Sequence, residues 1–153
     1  MDYGREWIAR HIPHQGTMCL LDHVASFDEE RLICIATSHA QADNPLRAQG
    51  RLGAATGIEY AAQAMAVHGA LLAQGTEDRP KVGFLASVRS VELHVERLDN
   101  VPGALRIEAV RIHSEGNSIL YGFTVHADQT SQLLLEGRAA VILNAQALTP
   151  GGK

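Results

Sequence analysis

Runs of basic residues, paired cysteine motifs and long apolar stretches are all missing from this sequence. Its 13 Lys and Arg are scattered among 17 Asp and Glu, for a formal net charge of −4. Contact with nucleic-acid phosphates needs clustered cations, so that class of function is set aside. The most apolar stretch, around residues 61–73, is broken by Gln63 and His68 and is too short to cross a bilayer. No membrane span is expected. The N-terminal residues carry charges where a signal peptide needs an apolar core, which points to a cytoplasmic protein. Cys19 and Cys34 lie in apolar, strand-like runs and read as buried free thiols of a reducing compartment. No CxxC motif or Cys/His cluster announces zinc, and no metal site is expected. HExxH, GxGxxG, GxSxG and a phosphate loop with lysine are absent too, so the sequence offers none of those ready-made chemistries.

What is present suits a globular α+β protein. The 153 residues fit one domain, with 46% hydrophobic and 20% charged residues. A chain of this length buries most of its apolar surface without disulfides or metal. One domain over residues 1–145 is expected, followed by a disordered tail at 146–153. A short helix is predicted at 5–11, then a turn at Pro13 to Gly16, a strand over 18–27, a turn at 28–30, and a second strand in which both faces are apolar. Residues 39–52 read as a loop of 14 residues, a length common in functional loops. The alanine-rich segment 53–74 is the most helix-like, with Gly75 as its C-cap. Its small side chains allow a curved sheet to wrap it closely. Four strands follow, read as a meander: 83–96, 105–112, a strand holding Ile119, Tyr121, Phe123 and Val125 on one face, and 133–143. Runs of strands with one segregated helix indicate an α+β architecture.

Glu59 is the residue that asks for an explanation. Its helical neighbours at three and four residues are Ala55, Thr56, Ala62 and Gln63, none of them a cation. An unpaired carboxylate in an apolar setting favours its neutral form and suits acid–base work. The plain alternative is an exposed residue that solubilises the helix rim. Gln63, one turn later, is placed to orient Glu59 or to bind a carbonyl, or is an ordinary polar residue at a helix edge. Gly53 and Gly57 weaken the start of the helix. A backbone approaching a ligand explains them, and so does a strand packed close on the helix. Among eight histidines, His39 opens the long loop and His14 sits in the first turn. Either is a candidate for a second acid–base group. His68 lies further along the helix, and His94, His113 and His126 fall on strands, where a polar outer face accounts for them.

The segment Ile12-Pro13-His14-Gln15-Gly16-Thr17-Met18-Cys19-Leu20-Leu21-Asp22-His23-Val24 resembles the opening of the 3-hydroxyacyl-acyl-carrier-protein dehydratases. Gly57-Ile58-Glu59-Tyr60-Ala61-Ala62-Gln63 is similar to that family's central-helix motif, with Glu followed four residues later by Gln. Gly83-Phe84-Leu85-Ala86-Ser87-Val88 resembles the strand that follows it. The likeness runs over residues 8–143. Asn44-Pro45-Leu46-Arg47 and His94-Val95-Glu96 add a narrower resemblance to the dehydratase-like proteins of aryl polyene gene clusters.

The resemblance implies a hot-dog fold, a long central helix wrapped by a curved antiparallel β-sheet. It implies a hydro-lyase that converts 3-hydroxyacyl thioesters to trans-2-enoyl thioesters in fatty-acid or polyene-type biosynthesis. The partners implied are acyl carrier protein with its phosphopantetheine-linked substrate, and a second hot-dog subunit in a homodimer or heteromer. No cofactor is implied. Glu59 matches the family's acid. The usual Gly-His-Phe-Pro loop falls near Asn44-Pro45-Leu46-Arg47, which has no histidine, so the base is sought in His39 or His14. Gln63, Asn44, Gly53 and Gly57 are the substrate-binding candidates. Two other readings stay open: a hot-dog acyl thioesterase, and a non-catalytic acyl-binding partner of another dehydratase.

Overall fold

The computed structural model describes residues 3–12, 16–74 and 84–142. Helix α1 (Arg5–His11) precedes the hairpin of β1 (His23–Phe27) and β2 (Arg31–Ala36). The long helix α2 (Gly57–Ala73) follows, and then strands β3 (Phe84–Leu93), β4 (Leu105–Glu115), β5 (Ser118–Ala127) and β6 (Leu133–Ile142). Every strand pairing is antiparallel, in the order β1-β2-β4-β5-β6-β3. Register shifts with the extra residue in β1, β3, β4 and β6 bend the sheet around α2. This is an α+β domain with the hot-dog architecture that the family resemblance implied.

Alternation builds the inner layer. On β5, Ile119, Tyr121, Phe123, Val125 and Ala127 are buried while the residues between them are not. The β4–β5 turn is tight because Gly116 takes φ +60°, as the first residue of a two-residue hairpin loop can. Helix α2 sets Tyr60, Ala61, Ala64, Met65, Val67, His68 and Leu71 into the core and packs on β2, β4 and β5. Burying such a face at roughly 25 cal/mol per Å² of apolar area, not helix propensity alone, holds the helix in place. No helix of the described residues is long and apolar enough to cross a membrane.

Two expectations change. Residues 19–22, read as the start of the first strand, are not strand, and Gly16–Met18 is a 3-10 turn. The reason is that side chains take several of these backbone groups, while β2 takes Asp22 N, which donates to Ile35 O. The Gln63 side chain bonds Met18 O and Leu20 N, Arg5 bonds Cys19 O, and Ser38 bonds Leu20 O. The last four strands are also not a simple meander, because β3 pairs with β6 at the far edge. The chain crosses from that edge to β4 through residues 94–104, which are tied back to the approach to α2. Leu98 N donates to Leu52 O, Leu52 N donates to Asp99 Oδ1, and Ala54 N donates to Glu96 O. Gly75 and the tail 146–153 lie outside the described residues.

Candidate active site

Glu59 occupies the first turn of α2, where the helix dipole favours a negative charge. It is half-buried, on the face of α2 that the sheet leaves uncovered, in line with the half-buried Ala62, Ala66, Ala70 and Ala73. Its carboxylate makes no side-chain hydrogen bond or ion pair among the described residues. A carboxylate held on a rigid helix, reachable from one side and uncommitted to the fold, is equipped to exchange a proton with a ligand.

Gln63 lies on the buried side of the helix, 1% exposed. Its Oε1 accepts from Leu20 N at 2.9 Å, and its Nε2 donates to Met18 O at 2.7 Å. Both ends of the amide are therefore occupied in fastening segment 18–20 to α2. Asn44 is equally committed. Its Nδ2 donates to Ser38 O and to Tyr60 Oη, and its Oδ1 accepts from Leu46 N. Ser38 Oγ donates to Leu20 O, so the Tyr60 hydroxyl gives its proton to Ser38 Oγ at 2.8 Å. Burial pushes the Tyr60 phenol above its ordinary range. This Asn44–Tyr60–Ser38–Leu20 relay joins the long loop, the helix and segment 18–20. Sequence reasoning missed Tyr60 and Ser38; the signal was a tyrosine among alanines on the buried side of the helix.

His39 lies in a 3-10 turn (Ser38–Ala40) and is fully buried. Its Nε2 is 3.1 Å from Val101 O, and a carbonyl only accepts, so the ring carries its proton on Nε2. Nδ1 is then a bare lone pair, buried and without a hydrogen-bond partner. Burial holds the imidazole below its ordinary range and keeps it neutral. Arg47 closes the loop over it, donating to His39 O, Gln41 O and Gly50 O. No hydrogen bond joins His39 to Glu59. His14 lies outside the described residues.

The two glycines part company. A Cβ on Gly57 would stand 2.6 Å from Leu135 Cδ2, so this glycine exists to let β6 approach the helix. A Cβ on Gly53 would meet nothing within 4 Å. The turn between them, a 3-10 helix at Ala54–Thr56, takes up the first amides. Ala54 N donates to Glu96 O, Thr56 N to Gly53 O, and Gly57 N back into the turn. Those amides are not free to hold a carbonyl. His68, deeper along α2, is buried and complete: Nε2 donates to Asp28 O, and Nδ1 accepts from Tyr121 Oη, each at 2.8 Å.

A long helix wrapped by a six-stranded antiparallel sheet, with one accessible carboxylate in the helix's first turn, defines a hot-dog protein. The family model of the ApeP-like proteins, described as ApeP dehydratase, matches residues 7–149, and the chain belongs to that family. Among solved structures it is similar to a chain of the dehydratase heterocomplex ApeI:P from Xenorhabdus doucetiae. The two share 21% identity over 88% of this chain and 89% of that one, with a TM-score of 0.77. It is also similar to the PaaI protein of the E. coli phenylacetic acid degradation operon, at 15% identity over 78% and 80% of the two chains and a TM-score of 0.58. A thioesterase of Staphylococcus aureus gives 15% identity over 79% and 91%, with a TM-score of 0.59. At these identities the structural likeness bears on fold alone. No curated protein matches the chain.

Proposed function

We propose that this chain dehydrates 3-hydroxyacyl thioesters carried by acyl carrier protein to trans-2-enoyl thioesters, with Glu59 as the acid. The observation that carries the reading is the uncommitted, half-exposed Glu59 carboxylate in the first turn of α2, in a chain of a dehydratase family. A base removes the proton next to the thioester carbonyl. That electron pair forms the new double bond, the carbon–oxygen bond at C3 breaks, and the Glu59 carboxyl gives its proton to the departing hydroxyl, which leaves as water. Only proton transfer and carbonyl polarisation are needed, so the reaction calls for no cofactor. Gln63 and Asn44 act as positioning residues that fix segment 18–20 and the long loop beside the helix.

The base is the open member. His39 has a bare Nδ1 but is sealed under Arg47, so it serves only if the loop 38–50 opens. This burial favours a second reading in which an imidazole from another hot-dog subunit completes the site. The heterocomplex named for the Xenorhabdus relative is in keeping with that reading.

The test is hydration of a trans-2-enoyl thioester, followed by loss of ultraviolet absorbance. Wild type and Glu59→Gln are assayed side by side, alone and with a typical dehydratase added, with free thiol monitored. Glu59→Gln is expected to lower turnover by roughly a hundredfold or more, while stability stays within about 1 kcal/mol of wild type. Undiminished hydration in that variant removes Glu59 from the mechanism. Release of thiol without hydration makes the protein a thioesterase. Activity only with the added subunit selects the shared site.

A further inference from the structure

The face of the sheet turned away from α2 carries a group of side chains that dehydration does not use. Glu92 on β3 stands directly opposite Glu136 on β6. Two carboxylates facing each other across an antiparallel pair repel. Their opposition is the product of a bulge: Arg89 pairs with Arg138 and Glu92 with Glu136, so three steps along β3 match two along β6. Ser90, inside the bulge, has φ +58°, a backbone that residues other than glycine adopt at a cost. Without the extra residue the two carboxylates would fall on opposite faces of the sheet. The strand direction continues past β3, because His94 N donates to Leu134 O, and the imidazole follows Glu92 onto the same face. His94 Nε2 lies 2.9 Å from Glu136 Oε2 and 3.9 Å from Glu92 Oε1. One donor atom from each of the three residues lies within 4.8 Å of the others.

The geometry points to a binding site for a divalent transition-metal ion of the zinc type, held by His94 Nε2 and one oxygen each of Glu92 and Glu136. Metal–ligand bonds of about 2.0–2.2 Å in a tetrahedron set neighbouring donor atoms about 3.4 Å apart. The two distances from His94, 2.9 and 3.9 Å, bracket that edge, the Glu92 and Glu136 oxygens lie within 4.8 Å of each other, and the half-exposed to exposed side chains are free to turn to meet an ion. Two carboxylates with a neutral imidazole carry two negative charges, which a dication neutralises. The imidazole selects among dications: magnesium and calcium prefer all-oxygen sites, whereas zinc takes nitrogen readily. Three protein ligands leave the fourth position to water or to a group from another molecule.

The experiment is a calorimetric titration of the untagged, full-length chain with Zn2+ alone, and with Mg2+ alone, in a non-chelating buffer. One Zn2+ per chain is expected, with no Mg2+ uptake. His94→Ala and Glu136→Gln should each weaken Zn2+ binding by roughly tenfold or more, with melting curves showing that both variants fold. Absence of saturable Zn2+ binding in wild type overturns the site. Unchanged binding in His94→Ala overturns it as well, because the ion then sits elsewhere.

Discussion

At the scale of single residues, Gly57 and Gly53 make a controlled pair. Both weaken a helix start, and both read in the sequence as positions needing a reason, with ligand approach and close packing equally open. The structure gives the packing reason to Gly57 alone. Gly57→Ala drives a methyl group into Leu135, a buried side chain with little room to swing. The variant should lose about 1–3 kcal/mol, read as a fall in Tm of about 2–4 °C per kcal/mol. Gly53→Ala meets open space at φ −68°, which alanine adopts freely, so its Tm should stay within about 1 °C of wild type. A loss of hydration in Gly53→Ala with Tm intact would restore a substrate-contacting role to that backbone. Gln63→Ala has a different signature. It leaves Leu20 N–H and Met18 C=O without their partners, at about 1–3 kcal/mol for each buried group, and it loosens segment 18–20 beside the helix. Denaturant melts that show no loss of stability in Gln63→Ala would mean that this clamp is not needed.

At the scale of elements, connections made by side chains were the part that periodicity could not show. Segment 18–22 has the apolar pattern of a strand and was read as one. Met18 O, Cys19 O and both polar groups of Leu20 go to Gln63, Arg5 and Ser38, partners that only the folded chain brings near. Segment 94–104 is the same kind of object. Asp99 fixes it to the start of the helix by accepting from Leu52 N and pairing with Arg97, with Arg47 further off at 3.9 Å. The Arg97 guanidinium, aided by the Leu52 amide, holds the Asp99 carboxyl well below the usual carboxylate range. A carboxylate that is harder to protonate in the folded protein stabilises it above about pH 4, the unfolded value, and the contribution disappears as pH falls through the folded value. Asp99→Asn should therefore melt below wild type at pH 7, and the gap should narrow as pH drops below about 4. A gap that stays constant down the acid limb would show that the charge of Asp99 is not what anchors the segment. By contrast α2, the β1–β2 hairpin and the β4–β5 turn were legible, because each rests on local signals: alanine content, Asp28 at a turn, Gly116 at a left-handed position. The bulge at Ser90 was not, and with it went the placing of Glu92 and His94 beside Glu136, which simple alternation reads as an outer polar face.

At the scale of the whole molecule, the sequence led to the wrapped helix but not to the sheet order, since pairing β3 with β6 depends on strands 40 and more residues apart. Nor did it tell which histidines the fold would bury. His39 and His68 are both fully enclosed, both neutral, and both held by burial below the ordinary histidine range. His68 has no free nitrogen at all, because Asp28 O takes its proton and the Tyr121 hydroxyl fills its lone pair. Protonating it in place would break the bond from Tyr121 and put a charge near Arg111 inside the core. In the unfolded chain the same imidazoles protonate near pH 6.5. The unfolded state thus binds more protons than the folded state as pH falls through that value, and stability must fall with it. Full stability is expected above about pH 7, with Tm declining as pH falls below about 6.5, a decline that begins above the range in which Asp99 acts. His68→Gln separates this linkage from general acid sensitivity. The variant loses a core hydrogen bond and melts lower at pH 7.5, yet it has one fewer imidazole to keep neutral, so its Tm should decline less steeply over the same window. An equal slope in wild type and His68→Gln would mean that the buried imidazole does not set the acid limb, and the same comparison with His39→Gln would then decide whether the loop histidine does.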